Sequence, residues 1–332
     1  MHTETDAFTS GFEALAATLA GEDRFTPEPT RIDPPKLQHI RNSVLEHFFS
    51  RTADSELSRA LTSDVDAHVT GRYNLFRDYL LPWVASTGLE LEHAVALEVG
   101  SGTGASSAAF APVLKELHCF EIDARAVRVW HDRMDAMGVE NAACHAELFG
   151  RGCEFVASGR KADLIVFCAV LEHLTDFEFE EIVLTAWDTL RAGGLMVIAD
   201  TPNRFAPVDY HTSLQPGWSA LSDSLKMKYG AAFSPREDFR HAMAASLAKP
   251  GAEGSVDLAR WGRGISFHDL EVLLGRDVHS NVVLTGYEPQ ITAVAPTSAA
   301  DGLLYYQQRV FTGHPVSPAF SRPNLYLAIR KP

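Results

Sequence analysis

Apolar residues recur along this chain with two periods. Up to about residue 90 they fall three and four apart, in "GFEALAATLAG", in Leu37 to Ser50 and in Asp64 to Ser86, the spacing of one buried helical face. Pro82 is expected to bend the last of these near its end, and the proline-rich "RFTPEPTRIDPPK" reads as a connector. From Ala94 the pattern changes to short, continuous apolar runs: "AVALEV", "LHCFEI", "NAACHA", "DLIVFCA" and "GLMVIAD". Helical stretches separate them, "GASSAAFA", "ARAVRVWHDRMDAM" and "FEFEEIVLTAWDTLR". Continuous apolar strands alternating with helices predict a parallel sheet covered on both faces.

The alternation then breaks. Residues 203 to about 264 carry the helical pieces "WSALSDSLKMKYG" and "PREDFRHAMAASLA" and a loop-like "KPGAEGS". It resumes at "SFHDLEVLLG", where Ser266 and Asp269 have the spacing of a capping box. Two further strands follow, "NVVLTG" and "NLYLAIR", around a surface excursion at about 288–322 that is rich in Pro, Ser and Gly. The predicted architecture is α/β: a doubly wound, seven-stranded, mostly parallel sheet with helices on both faces. Residues 1–90 form an N-terminal helical cap, 91–203 the ligand-binding core, 204–264 a helical insertion serving as a substrate lid, and 265–332 complete the sheet.

Composition narrows the function. With 46% hydrophobic residues among 332, the chain can bury a sizeable core. A formal charge of −14 argues against gripping nucleic acid or anionic lipid through phosphates. Cys119, Cys144, Cys153 and Cys168 form no C-x-x-C pair and read as reduced thiols. The acidic "MHTETDAFTS" has no apolar signal core, and no apolar run approaches the roughly 20 residues of a membrane span. A cytoplasmic location is expected, with neither membrane nor nucleic acid as partner.

The chemistry concentrates in "ALEVGSGTGASS", Ala96 to Ser107. Gly100, Gly102 and Ala105 fit a loose dinucleotide fingerprint, G-x-G-x-x-G/A. Glu98 points elsewhere. A carboxylate at the end of a buried strand needs donors, and the N–H groups of the following loop are the nearest supply. It would repel a pyrophosphate and welcome an ammonium or a sulfonium. The sign of the charge favours S-adenosylmethionine over a nicotinamide dinucleotide.

The same residues resemble the first motif, [ED]-x-G-x-G-x-G, of class I S-adenosylmethionine-dependent methyltransferases, which have a Rossmann-like core; the likeness covers Ala94 to about Asn203. The resemblance implies that Gly100, Ser101, Gly102 and Gly104 lie under the methionine part and the ribose. It implies that an acid ending the second strand takes the ribose hydroxyls. Glu121, beside Ile122 in "CFEID", holds that place, with Asp123 as the alternate or as a helix N-cap. The family's aspartate after the third strand is absent from "CHAEL", leaving Ala146 and Glu147 as adenine contacts. "DLIVFCAVLEHL" resembles the fourth strand and its turn, so Cys168 and Ala169 would flank the cofactor, with Glu172 and His173 toward the methyl-transfer region.

After the fifth strand, "TPNRFAPVDYHTSL" is polar, stiffened by proline and placed at the carboxyl edge of the sheet, where open α/β folds bind ligands. It resembles a segment of small-molecule methyltransferases and offers Asp209, Tyr210 and His211 as substrate contacts. His173 and His211 are the candidate proton acceptors. Asp200 and Asn203 could fill part of an all-oxygen magnesium set, but the fourth-strand position is Cys168-Ala169, and no metal is expected. The expected activity is methyl transfer from S-adenosylmethionine, yielding S-adenosylhomocysteine, to a small molecule, most readily at a hydroxyl. A protein or nucleic-acid methyltransferase is the alternative; an NAD(P)-dependent oxidoreductase or a non-catalytic binding module is the alternative of another class.

Overall fold

The computed structural model describes residues 32–52, 59–209, 211–249, 253–285, 304, 307 and 316–332. Seven strands form one sheet in the order β3-β2-β1-β4-β5-β7-β6. They are β1 (Val95–Val99), β2 (Glu116–Phe120), β3 (Ala142–His145), β4 (Ala162–Cys168), β5 (Leu190–Pro202), β6 (Val282–Thr285) and β7 (Asn324–Arg330). β1 runs parallel to both β2 and β4, β2 runs parallel to β3, and β6 pairs antiparallel with β7. Because β2 and β4 flank β1 on opposite sides, the carboxyl ends of β1 and β4 mark a switch point, where such sheets leave a crevice. The mostly parallel sheet read from the sequence is present.

Two compact units divide the chain. One comprises residues 25–168, 185–197 and 330–332. β1, β2 and β4 are buried almost throughout, as their continuous apolar runs require, whereas the edge strand β3 is half-buried with Ala143 exposed. Ile40, Val44 and Leu45 of the first described helix pack with Val65, Val69 and Val129. The helical run expected from Asp64 to Ser86 is present but interrupted. Helix Arg59–Asp66 widens into a π-turn at Ala67–Gly71, and a second π-turn at Phe76–Leu80 precedes Leu81–Ala85. Pro82 is the second residue of that last segment, directly after the π-turn.

Among the described residues, the other unit comprises 169–184 and those from 198 to 329. Helices Asp223–Phe233, Glu237–Leu247 and Glu253–Trp261 surround a small core of Trp218, Phe239, Met243 and Leu258. The third helix corrects the loop reading of "KPGAEGS". The helix takes in the last three residues of that stretch, and Gly254, Leu258 and Ala259 bury one of its faces. The capping box of Ser266 and Asp269 opens helix Phe267–Leu274 as expected. β5 is longer than the "GLMVIAD" run, because backbone bonds join Gly193 and Gly194 to Lys331 and extend pairing into the expected turn. "GFEALAATLAG", Tyr210 and most of the 288–322 excursion lie outside the described residues. Among the described residues, no helix is long and apolar enough to cross a membrane.

Candidate functional site

In the first unit, β1 ends at Val99 and the chain turns through Gly100–Gly104 into helix Ala105–Phe110. Gly100, Gly102 and Gly104 all take left-handed φ, at 72°, 53° and 76°. Two of them have different tasks. A Cβ on Gly104 would lie 2.7 Å from Trp130 Cδ1, so this glycine lets the helix seat against its neighbour. Nothing lies within 4 Å of a Cβ built on Gly102, so this side of the loop is open. The N–H of Gly100 donates to the Phe120 carbonyl at 2.8 Å, and that of Gly102 to Glu121 Oε2 at 2.8 Å.

The two acids after β2 are thereby separated. Asp123 caps helix Ala124–Met137 by accepting from the Arg125 N–H. Glu121 faces the glycine loop, and its Oε1 accepts from the Ile122 and Asp123 N–H groups at 2.8 and 2.9 Å. The Ile122 side chain is 65% exposed. Ala146 is exposed and Glu147 half-buried directly after β3; Ser101 is buried in the loop, and Cys168 is buried at the end of β4 with Arg72 Nη1 3.9 Å from its sulfur.

Glu98 corrects an expectation. Its carboxylate, 1% exposed, accepts from the hydroxyls of Ser106 and Ser107, not from the loop N–H groups. The glycine loop turns its amides toward Phe120 and Glu121, and the serines of the first helical turn point back beneath it. Burial pushes the Glu98 carboxyl above its ordinary range, against the pull of both hydroxyls. "GASS" held the signal, since two consecutive hydroxyls after a buried acid are natural donors.

Sequence reasoning missed the group that ties the loop to the N-terminal helix. Arg133 is fully buried, and Nε donates to the Thr103 carbonyl at 2.9 Å. Nη1 and Nη2 donate to the carbonyls of Val69 and His68 at 2.9 and 2.6 Å, both inside the π-turn. Burial lowers its pKa to about 10, which leaves it charged at neutral pH. Burial, then Arg72 and Arg133, lower the His68 pKa to about 4, so that ring is neutral. An arginine within "ARAVRVWHDRMDAM" carries no mark of this task; π-turn carbonyls in need of donors become visible only in three dimensions.

The second unit gathers the histidines. Turn Leu171–His173 follows Ala169, whose φ of 53° is left-handed for a residue with a side chain. His173 Nδ1 lies 2.9 Å from the Arg260 carbonyl, which can only accept, so Nδ1 is the donor there. Arg260 also donates to the His173 carbonyl at 2.9 Å and pairs with Glu178, holding the Glu178 pKa down at about 2.

His211 sits in a turn organised by Asp209. That carboxylate accepts from the N–H groups of His211, Thr212 and Ser213 at 3.1, 3.0 and 2.8 Å and from the Ser213 hydroxyl at 2.8 Å. All four of these bonds lie within the turn that presents His211. Arg236 holds the His211 carbonyl at 2.9 Å. The His173 and His211 rings lie 5.2 Å apart, and Glu172, with its side chain fully buried, brings Oε1 to 3.8 Å from His173 Nε2. Asn203 is structural: its amide donates to the carbonyls of Phe320 and Arg322 at 2.6 and 2.8 Å.

No curated protein matches this sequence. Among solved structures, the chain is similar to an amino pentose methyltransferase from Micromonospora echinaspora involved in calicheamicin biosynthesis, at 18% identity and a TM-score of 0.34, over 44% of this chain and 58% of that one. It is similar to an S-adenosylmethionine-dependent methyltransferase from Clostridium acetobutylicum at 14% identity and a TM-score of 0.37, over 46% and 61%. A third similarity is to an rRNA methylase from Streptococcus thermophilus, at 14% identity and a TM-score of 0.29, over 43% and 72%. The chain thus spans about three fifths of the length of the first two. The family model described as a methyltransferase domain matches residues 38–246, more than half of the chain, and the protein belongs to that family.

Proposed function

We propose that this methyltransferase uses S-adenosylmethionine and methylates a hydroxyl oxygen of a small molecule. When bound, the cofactor supplies a methyl group already activated by positive sulfur. The chain's residues fit it: Gly102 is open to a close ligand, and Glu121 retains acceptor capacity beside its three N–H donors. Gly100, Ser101, Gly102 and Gly104 form the cradle, and Glu121 with Ile122 receives the ribose. Ala146 and Glu147 border the adenine, and Cys168 and Ala169 flank the cofactor. Glu98 supports the cradle from below through Ser106 and Ser107.

The acceptor side rests on one observation, the orientation of the His173 ring: Nδ1–H is committed to the Arg260 carbonyl, which turns Nε2 toward Glu172, and an imidazole so oriented is the proton acceptor of this reading. His211 lies beside it, and Asp209 acts as a positioning residue. Residues 204–264 supply acceptor recognition. The charge of −14 disfavours RNA. The free cysteines suit a reducing cytoplasm.

The reading is tested by incubating the protein with S-adenosylmethionine and a panel of hydroxylated small molecules and assaying S-adenosylhomocysteine release. Turnover should fall about 100-fold or more in His173→Gln with cofactor affinity retained. Turnover confined to RNA or protein acceptors would replace the small-molecule reading.

A further inference from the structure

The geometry points to a transition-metal site formed by Glu172, His173 and His211. Each offers one ligand atom, and these atoms all lie within 4.8 Å of one another. Tetrahedral donors about 2.0 Å from a zinc ion stand roughly 3.3 Å apart. The 3.8 Å between Glu172 Oε1 and His173 Nε2 is within a small side-chain adjustment of that spacing. Two imidazoles and one carboxylate form a donor set of zinc and its first-row neighbours, unlike the all-oxygen set magnesium takes. The magnesium argument from Cys168-Ala169 therefore does not bear on this site, whose donors come from other positions.

Outer contacts set the ligands as a metal centre requires. His173 donates Nδ1–H to a backbone carbonyl, the usual device for orienting a ligating imidazole. His211 is held through its backbone by Asp209 and Arg236. Its ring lies on Gly262, where a Cβ would fall 2.7 Å from Cδ2 and 2.9 Å from Nε2; with φ at 105° this position admits glycine without strain. Glu172, whose side chain is fully buried, supplies the carboxylate oxygen of the set. Three protein ligands leave a coordination position for an oxygen. The binding of the ion does not rest on the proposed function.

The test is calorimetric titration of the chelator-treated full chain with Zn²⁺, repeated with Co²⁺ under visible spectroscopy. One ion per chain is expected, with cobalt d–d bands of four- or five-coordinate intensity. His173→Ala and His211→Ala should each weaken binding more than 100-fold, and Gly262→Ala, which displaces the His211 ring, about 10- to 100-fold. Glu172→Gln keeps the shape of the site and should also weaken binding, which covers any alanine variant that fails to fold. No stoichiometric uptake, or uptake unchanged in the folded variants, would overturn the site. S-adenosylhomocysteine titration of the metal-free protein reports separately on the methyltransferase reading, which can fail while the metal site stands.

Discussion

The glycine loop and the histidine cluster are built by opposite strategies. The loop is contiguous: its glycines, the acid before it and the serines after it span residues 98–107, and backbone amides do most of the work. The cluster draws on residues 172–173, 209–213 and 260–262: the Arg260 carbonyl holds the His173 ring, and the Asp209 carboxylate and the Gly262 carbonyl hold the turn that carries His211. The contrast teaches that a site made from backbone conformation is written locally, whereas one made from side-chain convergence depends on distant segments. Legibility follows from this. The strands, the loop and the Ser266–Asp269 cap could be read because period, glycine spacing and capping chemistry are local.

Arg133 and Arg260 were illegible. Each acts through carbonyls far away in sequence, and nothing about an arginine in a helix announces its acceptor. Glu98 was half legible: its burial followed from the strand, while the choice between amide and hydroxyl donors depended on which way the loop turned. The π-turns of the N-terminal helix have the same apolar spacing as an α-helix and left no trace in the pattern.

The comparison can be broken first at the loop's long-range exception. Arg133→Met orphans the carbonyls of His68, Val69 and Thr103 and should cost about 3–5 kcal/mol of unfolding free energy, measured in urea. A loss under about 1 kcal/mol would mean that the loop is self-sufficient. Gly104→Ala forces a left-handed alanine against Trp130 and should cost about 2–4 kcal/mol and weaken cofactor binding together.

Acid sharpens the same contrast. The folded-state pKa of His68 is about 4 against 6.5 for the free side chain, so the unfolded chain binds more protons between these values. The stability contributed by neutral His68 is therefore complete above pH 6.5 and is lost as the pH falls toward 4, at up to about 1.4 kcal/mol per unit. His68→Gln should flatten that slope in denaturation curves taken at each pH; an unchanged slope would remove the assignment. The smallest effect is expected at Asp209→Asn, which loosens the His211 turn by about 1 kcal/mol and should lower turnover several-fold while leaving cofactor affinity alone.

The most direct measurement of the central claim is equilibrium titration of the full chain with S-adenosylhomocysteine and, in parallel, with NADH. The account predicts saturable binding of S-adenosylhomocysteine at one site, weakened about 10- to 100-fold by Glu121→Ala in a protein that still melts cooperatively, and no comparable affinity for NADH. Tighter binding of NADH, indifferent to Glu121→Ala, would contradict it.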